Sequence, residues 1–388
     1  MQHGSDILLS LFIIFVAAQI GAEIAQRLKL PGVVGEIAAG CVVGPSVLGW
    51  IHPSEALDVL AEIGVVLLLF SVGLETRIDD MKRVGRSAFF VGVLGVVIPF
   101  VFGSLWAHAS GFGWDKSLFV AAAFVATSAG ITARVLQELG VLQREESRVI
   151  LGAAVIDDIL AMLLLGVVTA LQAGEGIQLG GLAVVLLEAI GFVMIIALVG
   201  TRVARHSARW LEAPINPLSP LTIVLALCIG LAFASTQFGL AAIIGAFLAG
   251  MIASETPQRE TLEHQTQPLL ALMTPFFFVL TGTKVELAQL ASWDALTALA
   301  VITVIAIVSK LAGGFLGALA LGKRGALIVG VGMIPRGEVG VVIASLGLAA
   351  GVFSPRTYAL VVAMSLLTSI ITPPVLAILL RHDQPQAK

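Results

Sequence analysis

The sequence predicts an all-α membrane protein of thirteen transmembrane helices, built as two inverted six-helix repeats joined by a linker helix, with a broken crossing helix in each repeat. Three observations predict it: composition, the placement of basic residues, and a self-similarity at an offset near 210 residues. Of 388 residues, 58% are apolar and 12% charged, about half the ~25% charge of a soluble domain. The mean hydropathy is +1.03, so too few charged side chains remain to clothe a water-exposed surface. A net charge of −3 supplies no basic excess to draw nucleic acid. Cys41 and Cys228 lie inside apolar runs, where a thiol is a small hydrophobe, and neither a disulfide nor a cofactor is expected.

A helix crosses the hydrocarbon in about 20 residues. Apolar runs separated by charge, proline or glycine occupy about 7–26, 31–50, 57–74, 87–108, 117–139, 147–173, 178–206, 218–237, 240–254, 268–282, 293–320, 324–349 and 356–380. No positive charge precedes the first run, so it is expected to stay as a helix and not to be cleaved as a signal. Numbering the loops alternately puts seventeen lysines and arginines, among them Arg27, Arg83, Arg148, Arg205 and Arg381, on one side. Only Lys116, Lys284 and Arg356 fall on the other, and Lys310 and Arg336 lie inside runs. Basic loops stay in the cytoplasm, which predicts an external N-terminus and a cytoplasmic C-terminus in the inner (plasma) membrane.

Val33–Gly40 resembles Ile243–Gly250, and Phe70–Gly73 resembles Val279–Gly282. Ala126–Gly130 and Ile334–Glu338 form a third pair at almost the same separation. Seven runs separate equivalents, so the halves enter the membrane from opposite sides, the inverted repeat of secondary transporters.

Charges inside the runs mark the candidate site. Asp157 and Asp158 sit together near the middle of 147–173, each costing roughly 2.5–3.5 kcal/mol to insert, and such residues mark ion or proton pathways. Adjacent helical residues diverge by about 100°, so one carboxylate is expected to face a protein cation and the other a cavity. Lys310 is too deep in its run to reach an interface; a buried ammonium needs a carboxylate, and the Asp pair is the best placed. Thr127 and Ser128 flank one expected helix break, as ligands for a small cation or as hydroxyls bonded back to their own helix. Pro335 marks the other break. Half-helix ends require opposite charges, for which Glu338 and Lys310 have the right signs; Arg336 pairing locally with Glu338 is an equal alternative. Glu36 is expected to serve packing or capping.

These residues resemble the monovalent cation/proton antiporter family (CPA2), most of all its bacterial NapA-type sodium/proton antiporters. The motifs that carry the likeness are Gly152–Asp158, Ala126–Gly140, Pro335–Gly340 and Phe70–Glu75, and it extends over about residues 7–380. The resemblance implies an electrogenic sodium(lithium)/proton antiporter working by alternating access, in which Asp158 carries sodium or protons by turns and Asp157 pairs with Lys310. It also implies a homodimer held by the N-terminal helix. The expected division is an interface domain at 1–84 and 218–290, an ion-translocating core at 85–175 and 291–380, a linker helix at 176–210 and a short cytoplasmic tail at 381–388. With so short a tail, no nucleotide-binding regulatory domain is expected after the last helix. A potassium/proton antiporter or cation channel of the same family is the alternative. An intramembrane aspartyl protease is remote, because its two aspartates must face each other from different helices.

Overall fold

The computed structural model describes residues 2–172, 179–200, 202, 219–285, 287–349 and 351–381; the side chains of 2–6, 78, 80, 115, 169–172, 179–182, 219, 287, 338 and 339 lie outside that description. Among the described residues there is no strand. The helices of the first half are α1 (Gln2–Arg27), α2 (Gly32–Val43), α3 (Glu55–Leu74), α4 (Ile78–Ala109), α5 (Trp114–Val125), α6 (Ala129–Glu138) and α7 (Glu145–Gln172). They are followed by α8 (Leu179–Ile195), which continues as a π-helical turn to Gly200. The second half comprises α9 (Ser219–Gln237), α10 (Ala242–Ser254), α11 (Arg259–Thr283), α12 (Trp293–Gly317), α13 (Gly322–Gly332), α14 (Glu338–Ala349) and α15 (Pro355–Arg381). Ten described segments are long and apolar enough to cross a membrane, and Gly32–Val43, Ala242–Ser254 and Gly340–Ala349 are shorter apolar helices. The chain is a multi-pass membrane protein. Parts of the expected linker at 176–210 and all but Arg381 of the expected tail lie outside the described residues.

Helix ends depart from the apolar runs where polar geometry overrides hydropathy. The run 31–50 is helical only to Val43, because Gly44 turns extended and Gly49 adopts φ +64° in the turn that follows. Hydropathy alone does not separate that apolar turn from the helix before it. Conversely α4 begins nine residues before its run, and α11 also nine, because the charged turns Asp79–Arg86 and Arg259–Gln267 are still helical. The expected break at 126–128 is present between α5 and α6, and the second lies between α13 and α14. Pro335 therefore sits in unwound chain at 333–337, not within a helix, and removes no helical hydrogen bond.

The helices associate in two groups. In one, α3 packs on α10 and α11, α2 on α1 and α11, and α9 on α10. In the other, α4 is central, packed on α12, α7 and α5, with α13, α14 and α15 completing the group. In lipid, helices are drawn together by close packing of small residues and not by apolar burial. On α12, a Cβ at Gly317 would lie 2.6 Å from Val91 Cα of α4, and one at Gly313 would lie 3.0 Å from Gly95 Cα. That near-contact of backbones brings Lys310, one turn before Gly313, against α4.

Gly317→Val is therefore expected to force α4 and α12 apart and to cost about 1–3 kcal/mol, as overpacking does. Gly166→Ala, where an added Cβ meets nothing within 4 Å, is the matched control. Thermal melting in detergent should fall for the first and hold for the second.

Candidate functional site

Three buried charged residues, Lys310, Asp157 and Arg336, meet where the two helix breaks lie together. Lys310, fully buried on α12, donates from Nζ to Asp157 Oδ1 at 2.6 Å, to Gly95 O at 2.7 Å and to Val125 O at 2.8 Å. An ammonium has three protons, so this one is saturated. Its acceptors belong to α7, α4 and the last turn of α5. A single cation thus ties three helices and neutralises the negative C-terminal end of the half-helix α5.

Arg336, also fully buried, lies in the second break. It donates from Nη1 to Ala126 O at 3.1 Å and from Nη2 to Ala306 O at 3.2 Å. Its own backbone is held by α15, Thr368 Oγ1 accepting from Arg336 N at 3.2 Å and Ser369 Oγ donating to Arg336 O. The guanidinium therefore caps the first break from within the second. Glu338 opens α14, at the positive end of that half-helix, but its side chain, and with it the expected Arg336 pair, lies outside the described side chains.

The breaks also bond directly to each other. Ser128 N donates to Pro335 O at 2.8 Å, and Thr132 Oγ1 donates to Gly332 O, the last residue of α13, at 2.8 Å. The ends of α5, α6 and α13 thus each meet a group supplied by the other half of the chain, which keeps unwound backbone satisfied at membrane depth. Thr127 Oγ1 is buried without a hydrogen-bond partner among the described residues. Asp157 Oδ2 is likewise buried and unpartnered.

Asp158 goes elsewhere. Though only 3% exposed, it lines a cavity of ≈ 10 Å³ with Ala129, the first residue of α6, and with Leu69, Ile243, Ile244 and Phe247 of α3 and α10. That volume is at the lower bound for one water molecule. The two aspartates thus part company as helical geometry requires, Asp157 into the α4–α7–α12 group and Asp158 toward the seam with the other group, near the positive end of α6. Glu36 is buried in α2, its Oε2 without a partner among the described residues.

Thr132, Gly95, Thr368 and Ser369 also take part, although charge alone does not mark them. A signal for two of them exists: Ser365, Thr368, Ser369 and Thr372 recur at helical spacing in an apolar helix, a polar stripe that hydropathy averages away.

The family model for the transmembrane sodium/hydrogen exchanger matches residues 11–382. The chain belongs to that family. It is similar to the high-affinity Na(+)/H(+) antiporter NhaS3 of Synechocystis sp., 36% identical over 95% of this chain and 89% of the relative. It is also similar to a Na(+)/H(+) antiporter of Enterococcus hirae, 32% identical over 94% of this chain and 96% of the other. The Na(+)/H(+)-K(+) antiporter GerN of Bacillus cereus is 33% identical over 94% of each. The solved structure of the sodium proton antiporter MjNhaP1 from Methanocaldococcus jannaschii shares the fold, with a TM-score of 0.70 at 18% identity over 97% of this chain and 99% of that one. As a member of a transporter family the exchanger is not an enzyme, and the protease reading is set aside.

Removing one partner of a buried ion pair strands the other, at about 3–5 kcal/mol. Lys310→Met and Asp157→Asn alone should each lower the melting temperature, and the double variant should recover much of the loss. A double variant no more stable than the worse single one would show that the pair is not coupled.

Proposed function

We propose that the exchanger carries sodium or lithium inward or outward against protons by alternating access, with cation and proton competing for Asp158. The carrying observation is the divergence of the adjacent carboxylates: Asp157 is held by Lys310, while Asp158 lines the cavity at the seam. A carboxylate at such a place is the simplest group that exchanges a proton for a cation. Thr127, whose hydroxyl has no described partner, and Ser128 are proposed as neutral oxygen ligands. The relatives named as sodium/proton antiporters support this choice of ions.

The α4–α7–α12 group corresponds to the core at 85–175 and 291–380, which moves against the interface domain at 1–84 and 218–290. Thirteen crossings in two inverted repeats are proposed, with the N-terminus outside and the C-terminus in the cytoplasm of the inner membrane, which the one-sided distribution of lysine and arginine supports. An apolar groove along α1 and α2, lined by Phe12, Val16, Ile20, Ile24, Val42 and Trp50 among others, suits packing against lipid or the α1 of a second copy in a homodimer. Exchange is proposed to be electrogenic: sodium beside Asp158 competes for Asp157, and Lys310, left without its counter-ion, gives up a proton. Potassium/proton exchange is the second reading, favoured by the relative named as a Na(+)/H(+)-K(+) antiporter.

Proton-gradient dequenching in proteoliposomes, with sodium, lithium and potassium in turn, tests the substrate. Asp158→Asn should abolish cation-driven proton movement while the protein stays folded; flux at the unmutated level would end the assignment. Lys310→Gln should make exchange electrically silent or abolish it. Undiminished net current on a solid-supported membrane would show that the lysine carries no proton. Glu338→Gln should lower thermal stability more than cation affinity; the reverse would move Glu338 into the ion site.

A further inference from the structure

α6, which continues from α5 across the first break and touches α7 and α15, belongs with the α4 group and lies against α3 and α2 of the other. Among the described residues, the hydrogen bonds that join the two groups gather at one end of the molecule, and the last turn of α6 supplies the central ones. Glu138 Oε2 accepts from Gly32 N, the first residue of α2, at 3.0 Å. An N-terminal N–H has no partner within its own helix, and Pro31, at the cap position of α2, has no side-chain acceptor to offer. The free end of α2 is therefore capped by a carboxylate from the other group. Arg134, one turn earlier on α6, steadies that carboxylate at 2.9 Å.

The neighbouring side chain grips a different helix. Gln137 Nε2 donates to Ser71 Oγ and to Glu75 Oε1, both at 3.1 Å, at the C-terminal end of α3. Burial raises the Glu75 carboxyl above its ordinary value, and the hydrogen bond from Gln137 works against that shift. Beyond α6, Gln143 donates to Glu75 O, and Arg381 at the end of α15 reaches Lys29 O at 3.3 Å. By contrast, the seam beside Asp158 is met by Leu69, Ile243, Ile244 and Phe247. Polar attachment between the groups is thus concentrated at an edge of the seam, on the side where basic residues place the cytoplasm.

We propose that Gln137 and Glu138 form a latch that closes the cytoplasmic edge of the seam, and that each transport cycle requires it to open and re-form. The proposal rests on the reading that the two groups move against each other. α6 begins at the break beside the ion site and ends in this latch ten residues later. Displacement of the ion-binding group therefore carries Gln137 and Glu138 off two helices at once. Opening exposes Gly32 N and the Glu138 carboxylate to water that can bond both, so the latch is suited to repeated use. Gln137 and Glu138 touch neither ion and act as positioning residues.

A covalent bridge tests this in the full chain. A Cβ at Gly32 would lie 3.4 Å from Glu138 Oε1, with Gln26 Nε2 nearest at 3.3 Å, so thiols at Gly32→Cys and Glu138→Cys lie within reach of a short, reducible bis-thiosulfonate linker in a Cys41→Ser, Cys228→Ser background. The bridged protein in proteoliposomes should lose sodium/proton exchange to the level of empty vesicles. Reduction should restore it, and sodium should still raise the melting temperature of the bridged form. Exchange that continues with the bridge complete would overturn the latch. Labelling supplies a readout independent of transport: Glu138→Ala, or Gln137→Glu set against Glu75, should speed maleimide labelling of Gly32→Cys. Unchanged labelling would overturn the latch. Absence of exchange in the unmodified protein would instead overturn the exchange reading and leave the labelling result to decide the latch.

Discussion

The ammonium of Lys310 organises the centre of the molecule. A charge there is tolerable only with every proton bonded, and its three acceptors come from α7, α4 and the C-terminal turn of α5. Those bonds need α12 within one side chain's reach of α4, which the missing Cβ atoms of Gly313 and Gly317 permit. Satisfying one cation thus constrains helix spacing, the position of the first break and the orientation of Asp157. Asp158, one residue further along α7, is turned toward the seam as a consequence.

The breaks extend the same logic to the backbone. Unwound chain in a membrane interior must find partners within the protein. Here the C-terminal carbonyls of α5 are met by Lys310 and Arg336, and the end of α13 is met by Thr132. Since Ser128 N also bonds Pro335 O, neither break is complete without the other. The two halves of the chain are joined at this point by polar groups from both breaks.

Much of this was legible because membranes penalise charge. Asp157, Asp158, Lys310 and Arg336 stand out as costly residues in apolar runs, and Gly130 and Pro335 lie in or beside the unwound segments. Periodicity shows that the aspartates diverge, but not which of them turns to the lysine, since that depends on how α7 is rotated against α4. Arg336 was legible as a charge and not as a cap on α5, because its acceptors lie some 210 and 30 residues away in sequence. Gln137 and Glu138 lie within the motif Ala126–Gly140, but the motif does not show their partners; only the approach of α2 and α3 supplies them. Helix limits followed hydropathy poorly wherever charged turns such as Asp79–Arg86 remained helical.

The wall facing Asp158 is aliphatic and aromatic, formed by Leu69, Ile243, Ile244 and Phe247. Such a wall makes no directional bonds, so one position of the carboxylate along it is nearly as good as the next, and friction against sliding is low. It also gives water no foothold for a continuous file past the carboxylate. In the proposed alternating-access cycle, a smooth, apolar surface at this place would both ease displacement and hinder proton leak, two demands that a polar wall would set against each other.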